Sequence, residues 1–257
     1  MKNIQIIATL TTHSTRIKTV HLAIETILGQ TVKADKVILW LTKGEYLESE
    51  IPNELKLLQK KGLEIEYCDD IKVFQKLIPT LKKFPNDLII TFDDDIFYKN
   101  TIIEELLDAY EKEPNIIHCM RGHKIKYTEN GELESYNKWD YCTNDFQAGF
   151  DIFPTGVGGV LYFPGCFYED VLKSDFFLSL TPNNDDVWLK AMSLKKDVKC
   201  KIVKQENNKY MNLDFIDGTQ EIGLCTINID EETGNNLQIK NVFTKYNIYN
   251  KKLINKR

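Results

Sequence analysis

The chain has 257 residues, a formal net charge of −5, 42% hydrophobic residues and 28% charged residues. This length and composition suit one globular α/β domain with a large core. The acidic balance argues against general nucleic-acid binding, because no excess of Lys and Arg is present to neutralise phosphates. No apolar run approaches the length of a membrane span, and the six cysteines contain no C-x-x-C pair. We therefore expect a cytoplasmic protein with reduced thiols.

The first half of the sequence alternates strand patterns with helix patterns. Because strict alternation of this kind is typical of a parallel sheet with helices on both faces, the predicted fold class is α/β and Rossmann-like. Strands are predicted at residues 4–10, 37–41, 63–67 and 88–92, and helices at residues 17–28, 52–61 and 73–81.

The fourth of these strands ends in three carboxylates, Asp93, Asp94 and Asp95. Parallel sheets bind ligands at the carboxyl ends of their strands, so these side chains are predicted to line a site. Adjacent carboxylates repel one another unless a cation gathers them, and hard oxygen ligands select Mg²⁺ or Mn²⁺ beside a substrate phosphate. Side-chain alternation along an extended chain predicts that Asp93 and Asp95 face the same way as a D-x-D metal pair. A solvated acidic loop is the other interpretation.

The second half contains a hairpin signal at Asn130-Gly131 and a glycine-rich, aromatic segment at residues 149–165. This segment suits either a close approach of backbone to a sugar or a bulged core strand. On the first interpretation, Gly158 and Gly159 contact an acceptor. A strand is predicted at residues 198–203.

A second acidic pair, Asp185 and Asp186, precedes a helix that runs through Ala191 and Leu194. Either residue could cap that helix. The functional interpretation is a rigidly held carboxylate that accepts a proton from a hydroxyl, beside a Trp188 ring that stacks on a sugar. The last predicted helix is followed by a basic cluster in residues 251–257, which could dock on the core or contact an anionic membrane surface; docking is favoured.

With these motifs placed, the first two hundred residues or so resemble the GT-A nucleotide-sugar glycosyltransferases, most closely the bacterial family 2-like enzymes that build capsules and surface polysaccharides. Four stretches carry the resemblance: IIATLTT at residues 6–12, AIETILGQT at 23–31, TFDDD at 91–95 and NDDVW at 184–188.

The resemblance implies a GT-A fold with a mixed, mainly parallel sheet and an inverting, metal-dependent transfer with Mn²⁺ or Mg²⁺. The donor would be a nucleoside diphosphate sugar and the acceptor a glycan or lipid-linked glycan. It also implies a donor-binding half at residues 1–115, an acceptor-side and catalytic half at 116–210, and a C-terminal extension at 211–257. The C-terminal extension contains the basic cluster for which docking on the core and peripheral membrane contact are the two interpretations given above.

Family roles can be carried onto matching positions. The second strand of the family commonly ends in an Asp that recognises the base, whereas Leu41-Thr42-Lys43 stands here, so the nucleotide is not identified. No His follows residue 123, so a late His metal ligand is absent. The donor-binding residues that the resemblance implies are Thr11, Thr12, Arg16, Lys76, Asp93 and Asp94, and the implied metal ligands are Asp93 and Asp95. The implied catalytic base is Asp186, with Asp185 as its substitute. The implied acceptor-side residues are Gly158, Gly159 and Trp188.

Three other classes share part of the pattern. Phosphatases of the haloacid dehalogenase type place a Thr or Val where Phe97 stands, two residues after the second Asp. A nucleotidyltransferase usually carries a glycine-rich loop after its first strand, and the segment from Thr11 to Arg16 has no Gly. A non-enzymatic nucleotide-sugar or glycan-binding module would not need the second acidic pair.

Overall fold

The computed structural model describes residues 4–205, 213–220 and 234–248. The strands of its main sheet are β1 (Ile6–Thr11), β2 (Lys36–Thr42), β3 (Leu63–Cys68), β4 (Leu88–Thr91), β6 (Ile117–Cys119), β9 (Val160–Tyr162) and β10 (Cys200–Ile202). Two small sheets are formed by β5 (Ile96–Phe97) with β11 (Asp214–Phe215) and by β7 (Gly122–Lys124) with β8 (Ile152–Pro154). The helices are α1 (Val20–Leu28), α2 (Asn53–Gln59), α3 (Ile78–Lys83), α4 (Ile102–Lys112), α5 (Ser174–Leu180), α6 (Asp185–Lys195) and α7 (Asn235–Tyr246).

The main sheet has seven strands in the order β10-β6-β9-β4-β1-β2-β3. Strand β1 pairs in parallel with β2 and β4, β2 pairs in parallel with β3, and β10 pairs in parallel with β6. Strand β9 runs antiparallel between β4 and β6. The predicted fold class, an α/β protein with a mixed, mainly parallel sheet flanked by helices, is therefore confirmed.

The core lies on both faces of this sheet. The central strands are apolar runs of Ile, Val and Leu because neither face meets water, as in other parallel sheets. Helix α1 buries Val20, Ala23, Ile24 and Ile27, which recur at helical spacing as its sequence pattern predicts. The glycine-rich segment contributes β8 and the fully buried β9, so its core-strand interpretation is the one observed.

Two local predictions differ from the structure. The helix predicted at residues 73–81 is instead a 3-10 helix, Lys72–Lys76, followed by α3, because Pro79 suits only the first turn of a new helix. The sequence also places Glu104 three residues after Thr101, a spacing that predicts a capping box at the start of α4, but no side chain caps this helix at Thr101. The carboxylate of Glu104 accepts a hydrogen bond from Thr31 Oγ1 at 2.7 Å, which ties α4 to the end of α1.

The C-terminal part folds back onto the main domain. Strand β11 pairs antiparallel with β5, directly after the three acidic residues, and α7 packs on α6 through buried residues that include Val242 and Phe243. The basic cluster at residues 251–257 lies outside the described residues, as do residues 221–232 of the acidic, turn-rich stretch that the sequence shows at 214–232. Within the described part of the chain, no helix is both long enough and apolar enough to cross a membrane.

Candidate active site

The acidic triplet lies at the carboxyl edge of the sheet, as predicted. Strand β4 ends at Thr91, and the chain then bends beside the loop that follows β1. Arg16 from that loop places Nη1 2.8 Å from Asp94 Oδ1 and 2.9 Å from Asp95 Oδ2. Thr12 Oγ1 donates to Asp94 Oδ2 at 2.6 Å. The chain itself therefore supplies donors to both oxygens of Asp94.

Asp93 and Asp95 have different ion-pair partners in the structure. Asp94 and Asp95 share Arg16, whereas Asp93 pairs with Lys76. The extended strand stops before the triplet begins, so side-chain alternation along a strand does not decide which way these residues face. A metal shared by Asp93 and Asp95 stays a prediction. The other oxygen of Asp93, Oδ2, is buried and has no hydrogen-bond partner in the described structure.

Lys76 is held in place from two sides. Its carbonyl oxygen accepts a hydrogen bond from Thr9 Oγ1 of β1 at 2.9 Å. Two residues earlier, the ring of Phe74 stacks on Phe177 of α5, with 4.2 Å between ring centroids. Because strand β1 and helix α5 fix this turn, the ammonium group is directed at the acidic edge of the sheet.

The second acidic pair approaches the same place from α6. The cap of this helix is Asn184, whose side chain accepts from the backbone N–H of Val187 at 3.0 Å, so the prediction that Asp185 or Asp186 caps it is wrong. Both carboxylates are thereby left for other contacts. Oδ2 of Asp186 accepts a hydrogen bond from the backbone N–H of Gly156 at 3.1 Å.

Position 156 marks the point where the two acidic regions meet. A Cβ atom there would lie 3.2 Å from Oδ1 of Asp186 and 3.3 Å from Nζ of Lys76. The absence of a side chain at Gly156 therefore leaves room for both groups. The structure brings together Lys76, Asp93 and Asp186, which are far apart in sequence, around one small space.

The electrostatics of this space are unusual. Burial and, next, the charge of Asp185 raise the pKa of Asp186, Lys76 and the Gly156 N–H offset part of this rise, and the resulting pKa is about 7. Burial also raises the pKa of Asp185. Burial alone would lower the pKa of Lys76, but the carboxylates of Asp93, Asp185 and Asp186 outweigh it and raise that pKa. A carboxyl group with a pKa near 7 can accept or release a proton at neutral pH.

The predicted acceptor-side residues fit less well. Trp188 is fully buried, donates its Nε1–H to the carbonyl of Val171 at 3.1 Å, and packs against Phe177 and Tyr246, so its ring is not available to a sugar. Gly159 has φ +113°, and a Cβ there would meet Ile102 and Leu106 of α4. Gly158 is buried, with φ +93°. These glycines serve the turn into β9 and its packing, so the acceptor interpretation of all three residues is corrected.

The first loop is positioned as predicted but is already bonded within the protein. Thr11 Oγ1 donates to the carbonyl of Trp40 at 2.9 Å, and a further bond at 3.2 Å joins it to Gln75. Gln75 in turn donates to Thr42 Oγ1 at the end of β2, at 2.8 Å. Thr11 therefore supports the edge of the sheet, and Thr12 and Arg16 are the residues of this loop that reach the acidic triplet.

Sequence reasoning missed two parts of the site. Gly156 is the glycine that faces the carboxylates, and nothing in the sequence distinguishes it from the neighbouring glycines. The second part is the segment at residues 213–220. The carbonyl oxygen of Thr219 accepts a hydrogen bond from Arg16 Nη2 at 2.7 Å, and Gln220 Nε2 donates a hydrogen bond to Asp95 Oδ2 at 3.0 Å. Pairing of β11 with β5 is the structural reason for these contacts.

A divalent cation fits the donor chemistry at this edge. The oxygens are carboxylates, which Mg²⁺ and Mn²⁺ prefer, and Asp93 Oδ2 is buried without a partner. Within the described residues, no group of three or more His, Cys, Asp or Glu side chains is arranged to hold a metal. A bound ion would therefore need oxygens from a substrate phosphate besides one or two of these carboxylates, as is common for Mg²⁺.

Comparison with known proteins gives a limited result. No family model matches the chain, and no curated protein matches it. Among solved structures, it is similar to S. aureus TarS 1-349, with 10% identity and a TM-score of 0.47, and to S. aureus TarS 1-349 in complex with UDP, with 11% identity and a TM-score of 0.48. Each likeness covers 78% of this chain and 59% of the other, so the chain spans less than two thirds of those structures. Similarity at this level does not identify a function.

Proposed function

We propose that this protein is a GT-A glycosyltransferase that moves a sugar from a nucleoside diphosphate donor to a hydroxyl of a glycan or lipid-linked glycan. The observation that carries the proposal is the meeting of the Asp93–Lys76 pair with Asp186 around Gly156. A binding module gains nothing from a second, proton-accepting carboxylate at this point, whereas group transfer to a hydroxyl needs one.

In the proposed reaction, Asp186 accepts the proton of the acceptor hydroxyl as its oxygen bonds to the anomeric carbon. The bond between that carbon and the donor phosphate breaks, and the electron pair leaves with the diphosphate. Direct attack from the face opposite the leaving group inverts the anomeric centre, in a transition state with oxocarbenium character. Asp185, the residue directly before Asp186, is the substitute base.

The departing diphosphate is assigned to the edge of the sheet. Arg16 and Lys76 supply positive charge at this edge. Asp94 forms an ion pair with Arg16 and also accepts a hydrogen bond from Thr12. Mn²⁺ or Mg²⁺ held by Asp95 and Asp93 would supply further positive charge for the leaving group. The nucleotide, donor sugar and acceptor are not assigned.

The biological setting is part of the same proposal. By family resemblance, we assign the transfer to the synthesis of a capsule or another surface polysaccharide, on the cytoplasmic side. Peripheral contact with the membrane through the basic cluster at 251–257 stays a prediction, since that cluster lies outside the described residues.

The first test is hydrolysis of a panel of nucleotide sugars with Mn²⁺ or Mg²⁺ and, separately, with a chelator. We expect metal-dependent release of a nucleoside diphosphate from one donor, and loss of that release in Asp95→Ala, because the variant lacks a carboxylate for the ion. Tight, metal-dependent nucleotide binding without turnover, even with glycan acceptors added, would favour the binding module. Absence of both binding and turnover would contradict the proposal.

Two glycine variants separate the site from the fold. Gly156→Ala should lower transfer at least several-fold with little change in the thermal midpoint, because its methyl group crowds the flexible ends of Asp186 and Lys76. Gly159→Ala should lower the midpoint strongly, since φ +113° is strained for Ala and the methyl group meets α4. Thermal unfolding and donor turnover of both variants check this, and equal loss of stability in the two would contradict the assignment of Gly156 to the site.

A further inference from the structure

A second lysine, Lys190, lies in the interior behind Asp186. Its side chain is only 2% exposed, although it carries an ammonium group. Nζ donates to the thiol of Cys200 at 3.5 Å, and among the described residues no carboxylate pairs with it. Burying a charge with so weak a partner costs stability, so a contribution to stability does not account for this residue.

Lys190 is placed to act on Asp186. The two residues are four positions apart in α6, which puts them on the same face of the helix. Both line a cavity of about 10 Å³, together with Ser193, Cys200 and Tyr162. That volume is close to the space of one water molecule, and the polar groups of the lining could hold one.

We propose that Lys190 is a positioning residue for Asp186: its ammonium group and a water molecule in the shared cavity hold the carboxyl group in place and balance its charge from the core side. The inference rests on the proposed role of Asp186 as the base. It gives a reason for a buried lysine in a helix whose other residues from Val187 to Leu194 are apolar or small.

The charges around Asp186 show why a cation is needed there. On the pocket side the ammonium of Lys76 is shared among several carboxylates, so it cannot neutralise all of them. Lys190 adjoins Asp186 at the shared cavity, and no other cation of the described residues lines that cavity. The titratable and polar groups that face Asp186 are Lys76 of the 3-10 helix, Asp93 after β4, Asp185 of α6, Gly156 before β9, Tyr136, Tyr162 of β9, Cys119 of β6 and Cys200 of β10.

The test compares Lys190→Met with Lys196→Met, an exposed control at the C-cap of the same helix. Met keeps the length of the side chain and removes its charge. Titration of ¹³C-labelled Asp carboxyl groups by NMR, with the Asp186 signal identified by its loss in Asp186→Asn, should show the pKa of Asp186 rising by about one unit or more in Lys190→Met. The control should leave it unchanged.

Activity and stability give independent readouts. We expect transfer by Lys190→Met at pH 7 to fall about fivefold or more, because a rise of about one unit above a pKa of about 7 lowers the ionised fraction of Asp186 from about one half to about one tenth. Transfer should recover at higher pH, with the KM for the donor unchanged. The thermal midpoint should stay the same or rise, because a buried charge has been removed. An unmoved pKa, or a lower midpoint with an unshifted pH profile, would overturn the inference. If the wild-type protein transfers no sugar, the proposed function fails, while the NMR titration still decides the role of Lys190.

Discussion

Asp186→Asn is expected to lower sugar transfer by about 10²–10⁴-fold, because the amide cannot accept the proton of the attacking hydroxyl. Donor binding should be retained, since the proposed site for the diphosphate is at the sheet edge around Arg16 and Lys76 and does not include Asp186. Steady-state transfer rates together with calorimetric donor binding measure the two effects separately. Transfer at the wild-type rate would exclude Asp186 as the base.

The same variant has an expected signature in stability. In the folded protein Asp186 keeps its proton up to about pH 7, whereas an unfolded carboxyl group ionises near pH 4. Between these values the folded state binds the extra proton, so this residue makes wild-type stability fall as the pH rises through that window. Asn does not titrate. The free energy of unfolding of the variant, measured relative to that of the wild type, should therefore increase as the pH rises from about 4 to about 7.

A matched control tests whether this behaviour is specific. Asp175 also lies in the first turn of a helix, α5, but it is exposed. Asp175→Asn should leave transfer unchanged and should show no comparable pH-dependent gain. Asp185→Asn should lower transfer less than Asp186→Asn, because Asp186 is the residue that accepts the Gly156 N–H.

Lys76→Met should lower the free energy of unfolding by about 2–3 kcal/mol, because Asp93, Asp185 and Asp186 then lose their shared cation. The pair of Lys76 with Asp93 is largely shielded, with side chains 16% and 15% exposed, so solvent screens it only in part. The double variant Lys76→Met/Asp93→Asn should recover part of that loss. Urea unfolding of the two single variants and the double variant gives the coupling energy.

The control for this cycle is another lysine pair on the surface. Lys83 bonds to Glu66, with side chains 42% and 34% exposed. Lys83→Met should change stability by about 1 kcal/mol or less, because exposed ion pairs contribute little. A loss as small as this in Lys76→Met, or no recovery in the double variant, would mean that Lys76 is not the cation that holds the carboxylates together.

The sheet and the location of the acidic triplet were predictable because both depend on local patterns. Alternating apolar runs and amphipathic helices define a parallel sheet, and residues that follow a buried strand must emerge at its carboxyl edge. The partners of the triplet were not predictable in this way. Gln220, which donates to Asp95, is 125 positions away in the sequence, and no periodicity connects the two.

Helix α6 shows a different limit. All its residues from Val187 to Leu194 are buried, since α7 covers the side that would otherwise face water. Without an exposed face, the pattern gives no indication of which residues face the site and which face the core. For this reason the sequence predicts a sugar contact for Trp188, which is buried in the structure, and gives no role to Lys190.

The antiparallel strand β9 also constrains the order in which the chain can fold. It lies in the centre of the sheet, but it is made long after its neighbour β4 during synthesis. Until β9 is inserted, β4 is an open edge and β6 with β10 cannot join the sheet. Such non-local pairing is slow and leaves unpaired edges exposed in intermediates. Residues 1–115 and 116–210 therefore contribute to one folding unit, and severing the chain near residue 115 should leave neither part able to complete the sheet alone.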